Sequence, residues 1–299
     1  MNDVRNMLET RFPGLHARIE KMLIEAEARY NQQTNQAASK FLLEHTRRTT
    51  AIAHKISRME GVDSFLPVLV ALYHDAGKFH EGSYHNDDIP EEEHAAALAG
   101  TMLAEFGVER CDIQAVREAL RAMYNGELVC VGPSCIVQDA DQLDKLGALG
   151  VGAFFTKATL RGRGLIEALV QTASRELTYA LAAPRSMLTE TGRKLAGEQA
   201  ARTVAFFEDL LGDLESWGIA SFERRAIVLE GDFRTRNGGS VQRMEVTIVM
   251  PRACPDCEAS LDLAHQRGPG VKCEMLTARV ACEDCGYARE TSFCLPVFA

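Results

Sequence analysis

The sequence predicts a mainly α protein, a helical bundle over residues 1–217 followed by a small β-rich module over residues 222–299. Three observations carry that prediction. Apolar residues recur at helical spacing from Leu8 to Trp217; in Ala200–Leu211, for example, Val204, Phe207 and Leu211 stand at i, i+3 and i+7. After Trp217-Gly218 the pattern turns strand-like. Ala226-Ile227-Val228-Leu229 and Met244-Glu245-Val246-Thr247-Ile248-Val249 flank Asn237-Gly238-Gly239, a turn sequence, which predicts a β-hairpin. The nine cysteines are also unevenly placed. Cys111, Cys130 and Cys135 stand alone, whereas Cys254, Cys257, Cys273, Cys282, Cys285 and Cys294 all lie in the β-rich part.

The 299 residues are enough for two domains, each with its own core. Lys and Arg number 33 against 42 Asp and Glu, a net charge of −9. That balance argues against a chain that wraps nucleic acid through its overall field. Residues 221–299 hold ten basic and eleven acidic side chains, net −1, so the helical part carries −8. The longest apolar run, Leu66 to Tyr73, is far below the roughly 20 residues of a membrane span. The first residues carry no apolar signal-peptide core. The expectation is a cytoplasmic protein with reduced thiols, its cysteines metal ligands or bystanders.

In the helical part, Leu72-Tyr73-His74-Asp75-Ala76-Gly77-Lys78 is the most informative stretch. An apolar helix, Phe65 to Tyr73, ends in an adjacent His-Asp pair, and a glycine follows that lets the backbone turn. One imidazole nitrogen and one carboxylate oxygen from neighbouring residues can reach a common ion, and the pair suits Mn, Fe, Zn, Ni or Mg. Two further ligands are at hand in His45, within Glu44-His45-Thr46-Arg47-Arg48, and Asp141, within Ile136–Gly147. Each residue alone has an ordinary reading. A lone His is commonly a surface or capped residue, and Asp139, Asp141 and Asp144 would also suit the acidic first turn of a helix.

In this order and context, His45, His74-Asp75 and Asp141 resemble the signature of the HD-domain superfamily of metal-dependent phosphohydrolases. His45-x-x-Arg48 resembles its first helix and His74–Lys78 its central motif. Ile136–Gly152 and Thr189–Ala196 resemble a bacterial subgroup that includes nucleotide pyrophosphohydrolases. The resemblance spans roughly residues 40–215. It implies an HD-domain helical bundle with His45, His74, Asp75 and Asp141 as ligands of a divalent metal, Mn, Fe, Ni or Mg. By the family pattern Asp141, not Asp139, is the ligand, and Asp139 supports a ligand or caps a helix. The pattern departs at Met123, where subgroup members often carry a His. His94 is the candidate for a substrate contact, beside its ordinary reading as a His in an acidic helix start.

The implied reaction is hydrolysis of a nucleotide or other small phosphate ester by a metal-activated water, with Asp75 in the catalytic set. Developing phosphoryl charge calls for cations. Arg48, Lys78 and Lys145 are the candidates for phosphate contacts, Lys78 foremost, although most such residues are simply solvated. Asp75 and Asp144 are candidate proton acceptors. The acidic stretch Glu81–His94 reads as a solvated loop after the motif.

In the β-rich part, Cys254-Pro255-Asp256-Cys257 and Cys282-Glu283-Asp284-Cys285-Gly286 are two C-x-x-C pairs. Each pair can set two thiolates about 4 Å apart, as a tetrahedral Zn²⁺ requires, and Gly286 permits a left-handed turn. The paired motif resembles a zinc ribbon with a structural zinc on Cys254, Cys257, Cys282 and Cys285. Cys273 and Cys294 are expected as unpaired, apolar-packed spares. Arg224, Arg225, Arg234, Arg236 and Arg243 are a candidate local basic patch.

The leading expectation is an HD-type phosphohydrolase acting on a small phosphorylated substrate, with no membrane partner and a homodimer left open. The alternative is a regulatory or interaction protein whose zinc ribbon recognises protein or nucleic acid, with weak or no hydrolysis.

Overall fold

The computed structural model describes residues 2–35, 39–79, 89–123, 132–234, 240–270 and 274–295. Among them, ten helices are followed by five strands, so the chain is mainly α with a small β module. Its packing defines two compact units: Met1–Asp144 with Leu188–Gly192, and Lys145–Met187 with Arg193–Ala299. The change from helix to strand falls inside the second unit. No helix among the described residues is long and apolar enough to cross a membrane.

In the first unit, α1 (Asn2–Arg11) and α2 (Leu15–Gln33) bury Val4, Leu8, Leu15, Ile19 and Leu23, spaced four apart within each helix. Helix α3 (Phe41–Glu60) starts against a carboxylate of α2. Glu27 accepts the Phe41 and Leu42 amides at 3.0 and 3.1 Å, amides that helix geometry leaves without intrahelical partners. Helix α4 (Phe65–Tyr73) is apolar on all sides, and every residue but Leu66 is buried. A helix of that kind belongs at the centre, and α4 packs against α3, α6 (Arg110–Ala122) and α7 (Pro133–Asp144). Its Pro67 lies in the first turn, where no intrahelical hydrogen bond is lost.

The turn after α4 passes close to α5 (Glu91–Glu105). A Cβ on Gly77 would stand 2.1 Å from the Glu91 carbonyl oxygen and 3.0 Å from His94 Cβ. Gly77 is not among the positive-φ residues, so this position needs glycine for space rather than for the turn expected of it.

Helix α7 is buried along almost its whole length although it carries Gln138, Asp139, Asp141, Gln142 and Asp144. So many buried polar groups require partners. Asp139 finds them at the start of α10 (Glu190–Ser216), accepting the Leu188 and Thr189 amides, both at 2.8 Å, and the Thr189 hydroxyl at 2.6 Å. Thr189 Oγ1 in turn accepts the Gly192 amide at 2.8 Å, an N-cap bond.

In the second unit, α8 (Gly147–Leu160), α9 (Leu165–Ser186) and α10 share a core of Val151, Leu169, Ala173, Leu177, Phe207 and Leu214. Strands β1 (Phe222–Arg234) and β2 (Ser240–Pro251) pair antiparallel from Phe222↔Pro251 to Arg234↔Ser240, with a bulge between Glu230 and Phe233. This is the expected hairpin; its turn, Asn237-Gly238-Gly239, lies outside the described residues, as does Arg236. Strands β3 (Asp262–Pro269), β4 (Glu274–Ala281) and β5 (Ala288–Leu295) form a second antiparallel sheet in that order. Ile227, Met244, Val246 and Ile248 of the first sheet share a core with Leu276, Val280 and Phe293 of the second.

Helix α9 meets the edge of β2 through two hydroxyls. Thr178 Oγ1 accepts the Thr247 amide at 2.9 Å and donates to the Thr247 carbonyl at 3.2 Å. Ser174 Oγ does the same for Val249, at 2.8 and 3.4 Å. The match is geometric: four helical residues rise about 6 Å, nearly the roughly 6.6 Å that two strand residues span. Val249 and Thr247, off the inter-sheet face, are buried for this reason.

Cys294 departs from its expected state. It is disulfide-bonded, whereas Cys111, Cys135, Cys254, Cys257, Cys282 and Cys285 are free thiols. Its position on a strand beside Met275 of β4 is a ladder position, and the lone apolar thiol expected there is not what the fold builds. Cys130 and Cys273 lie outside the described residues. The expected basic patch is partly neutralised, with Arg224 on Glu208 at 2.8 Å and Arg225 on Glu223 at 2.6 Å.

Candidate metal centres

Three elements of the first unit bring their polar side chains to one place. His45 sits in α3, His74 directly follows α4 with Asp75 next to it, and Asp141 sits in α7. All four are buried. Ligand atoms of His45, His74 and Asp141 lie within 4.8 Å of one another. His45 Nε2 is 3.1 Å from His74 Nε2, 3.2 Å from Asp141 Oδ1 and 3.3 Å from Asp75 Oδ2, while Asp75 Oδ1 is 3.6 Å from His74 Nε2. Donors bonded at about 2.1 Å to a common ion stand roughly 3.0–3.4 Å apart, so the spacing fits a divalent cation.

The outer partners of the two imidazoles decide what these nitrogens offer. His74 Nδ1 is 2.6 Å from the Ala71 carbonyl, which only accepts, so Nδ1 carries the proton and Nε2 a lone pair. His45 Nδ1 is 2.8 Å from Asp144 Oδ2, again an acceptor, which likewise leaves Nε2 as a lone pair in the neutral ring. Two bare nitrogens and two carboxylates then face each other. A second proton on His45 relieves that repulsion, and so does a cation among them. The donor set of two imidazoles and two carboxylates is one that divalent transition metals and Mg take.

The titration behaviour follows. Burial opposes charge on His45, but the carboxylates of Asp141, Asp144 and Asp75 outweigh it and hold its pKa well above the usual 6.5. Burial lowers that of His74. Burial would raise Asp75, yet His74, Lys78 and His45 hold its carboxyl well below the ordinary range.

The other expected site residues fall as follows. Lys78 Nζ bonds Asp75 Oδ2 at 2.6 Å. Arg48 bonds Asp144 in bidentate fashion, Nε to Oδ1 at 2.6 Å and Nη2 to Oδ2 at 2.9 Å. Two of the three expected phosphate contacts thus engage carboxylates around the cluster. Lys145 belongs to the second unit, where its ammonium lies 5.9 Å from the Tyr179 ring centre. His94 lies beside Gly77 in the turn that carries His74 and Asp75. Met123, at the end of α6, is a buried core residue. Of the acidic stretch, residues 81–88 lie outside the described residues, and Glu93 pairs with Arg121 at 2.9 Å. The sequence offers Asp144 as a proton acceptor or as part of an acidic helix start, but it stands at the last position of α7. Its spacing of three from Asp141, like that of Arg48 from His45, was the available sign that the two belong one turn along the same faces.

Residues 42–146 match the family described as the HD domain. In fold, the chain is similar to an HD superfamily hydrolase from an uncultured Thermotogales bacterium, with 23% identity over 70% of this chain and 97% of that one, at a TM-score of 0.50. It is also similar to Bacillus subtilis YpgQ in its selenomethionine form, with 21% identity over 67% and 96% of the two chains, again at 0.50. No curated protein matches the sequence. The matched stretch contains all four members of the His–Asp cluster.

The second centre lies in the β module. Sulfur atoms of Cys254, Cys257, Cys282 and Cys285 lie within 4.8 Å of one another, with Cys254–Cys285 at 3.4 Å and Cys257–Cys282 at 3.5 Å. A tetrahedral ion with bonds of about 2.3 Å to sulfur sets its ligands roughly 3.8 Å apart, so four free thiols at this spacing fit one. The two knuckles share one hydrogen-bond plan. Cys254 N donates to Ala259 O and Glu258 N to Cys254 O; Cys282 N donates to Tyr287 O and Gly286 N to Cys282 O. The residue after each pair is left-handed, Glu258 at φ 63° and Gly286 at φ 80°.

Proposed function

We propose that the HD domain is a metal-dependent phosphohydrolase acting on a nucleotide or other small phosphate ester. The observation that carries this reading is the convergence of His45, His74, Asp75 and Asp141, with both imidazoles fixed from outside so that their Nε2 lone pairs point inward. Bound there, Mn, Fe, Ni or Mg would supply Lewis-acid activation of water and of a phosphoryl oxygen.

The chain's own residues prepare that chemistry. Lys78 fixes Asp75 Oδ2, which leaves Oδ1 turned toward His74. Asp75, Asp141 and Asp144 face the cations Arg48 and Lys78, a balance of −1 with both imidazoles neutral. A divalent ion makes it +1, the sign that draws an anionic phosphate into a buried site. The four cysteines of the β module are proposed to hold a structural zinc. Among the described residues that centre gathers thiols alone, and four of them fill the positions of a tetrahedral ion.

The test is a panel of nucleotides and phosphomonoesters assayed with each of the four metals. Phosphate release is expected with at least one pairing. His74→Ala and Asp75→Ala should each lower it by at least about 10³-fold, the scale for a group that acts as part of a unit. Turnover at the wild-type rate in either variant overturns the proposal.

A further inference from the structure

We infer that Asp144 is a positioning residue of the metal site and that Arg48 is its clamp rather than a phosphate contact. The inference rests on the metal-site reading above. It starts from helix spacing. In α3, Arg48 follows His45 by one turn; in α7, Asp144 follows Asp141 by one turn. The two ligands meet across the helices at 3.2 Å, and one turn along, the arginine meets the aspartate. Each helix therefore contributes one ligand and one support.

Asp144 is 3% exposed, and three N–H donors converge on it. Oδ2 accepts from His45 Nδ1 and Arg48 Nη2, and Oδ1 accepts from Arg48 Nε. The first bond sets the His45 tautomer and ring orientation, so that Nε2 and not Nδ1 is offered inward. The bidentate fork does a second job. A planar guanidinium gripping both oxygens of Asp144 holds that carboxylate where His45 Nδ1–H meets it. Outer partners of this kind orient ligands and tune metal affinity, typically by 10–100-fold.

Mn²⁺ separates the possibilities, because hard oxygen and nitrogen donors take it while the thiolates of the β module prefer zinc. Binding of Mn²⁺ alone to the zinc-loaded full chain is measured by electron paramagnetic resonance, and the melting temperature is followed in chelator. Asp144→Ala should weaken Mn²⁺ binding about 10–100-fold. Asp144→Asn keeps an oxygen for His45 Nδ1–H and should recover much of that loss. Arg48→Ala should weaken Mn²⁺ binding by a smaller factor.

Unchanged Mn²⁺ affinity in Asp144→Ala, with binding abolished in His45→Ala, overturns the positioning role and leaves the metal site standing. An Arg48→Ala variant that raises KM for the phosphate substrate at unchanged Mn²⁺ affinity overturns the clamp. A wild-type chain that binds no Mn²⁺ overturns the metal-site reading itself, and the inference with it.

Discussion

The His–Asp centre and the four-cysteine centre both gather four donors around a point, but they are held by different parts of the chain. The first draws its residues from α3, α7 and the end of α4, nearly a hundred residues apart, and orients them by side chains: Asp144 on His45, Lys78 on Asp75. The second uses two short turns whose own backbone amides fix the cysteines, with the same bonds repeated in each knuckle. The first centre therefore stands on a core that exists without it. The second spans the turn before β3 and the turn between β4 and β5, so an ion held there would tie the ends of these short strands together. Dependence on the ion should differ accordingly.

The largest expected effect lies in the cysteine centre. Structural zinc contributes about 10–16 kcal/mol of apparent folding free energy in small zinc modules. Strong chelation, or Cys282→Ser, should unravel β3–β5, seen as loss of protease resistance in residues 254–295, while α1–α7 stay folded. A β module that survives zinc removal intact would erase the contrast. Next comes Asp139, the buried cap. Asp139→Ala leaves the Leu188 and Thr189 amides without their acceptor and should cost about 3 kcal/mol in denaturant unfolding, with Mn²⁺ affinity changed much less. A large loss of Mn²⁺ affinity in this variant would make Asp139 part of the metal site instead.

The pH dependence sharpens the comparison further. The raised pKa of His45 means that the metal-free first unit gains stability from its charge, fully present below about 6.5 and lost as pH rises through the folded value. Melting in chelator should therefore show a His45-dependent fall as pH rises above 6.5, absent in His45→Gln. Metal uptake displaces the same proton, so over that range apparent Mn²⁺ affinity should rise up to about tenfold, or 1.4 kcal/mol, per pH unit. The smallest effect returns to the knuckles. Glu258 occupies the left-handed position that glycine fills in the second knuckle. Glu258→Gly should stabilise the zinc-loaded module by about 0.5–1 kcal/mol, the left-handed strain less the entropy of an added glycine.

Legibility in the sequence follows the same divide. The knuckles could be read because their ligands and turns are contiguous. His74-Asp75 could be read because α4 is so apolar that its end is visible in the chain. The clamp of Arg48 on Asp144 could not, since it depends on how α3 and α7 register against each other; alone, Arg48 looks like any cation near a phosphate site. Gly77 was assigned to a turn because close passage of α5 leaves no local trace. The placement of Lys145 was hidden for another reason: it follows Asp144 directly in sequence, yet the compact units divide between these two residues. Ser174 and Thr178 left a faint sign, two hydroxyls four apart on a helix face otherwise lined by alanine and leucine.

Those two hydroxyls bear on the order of synthesis. Ser174 and Thr178 leave the ribosome 75 and 69 residues before the strand positions they bond. Until β2 emerges, the face of α9 that carries them, with Thr178 and Ser174 buried in the finished protein, has no partner. A nascent chain halted at the helix-to-strand change near residue 218 thus carries a helix still awaiting its strand. A gene shortened to the helical part alone would fix the protein in that state, with one face of α9 open to any strand edge it meets.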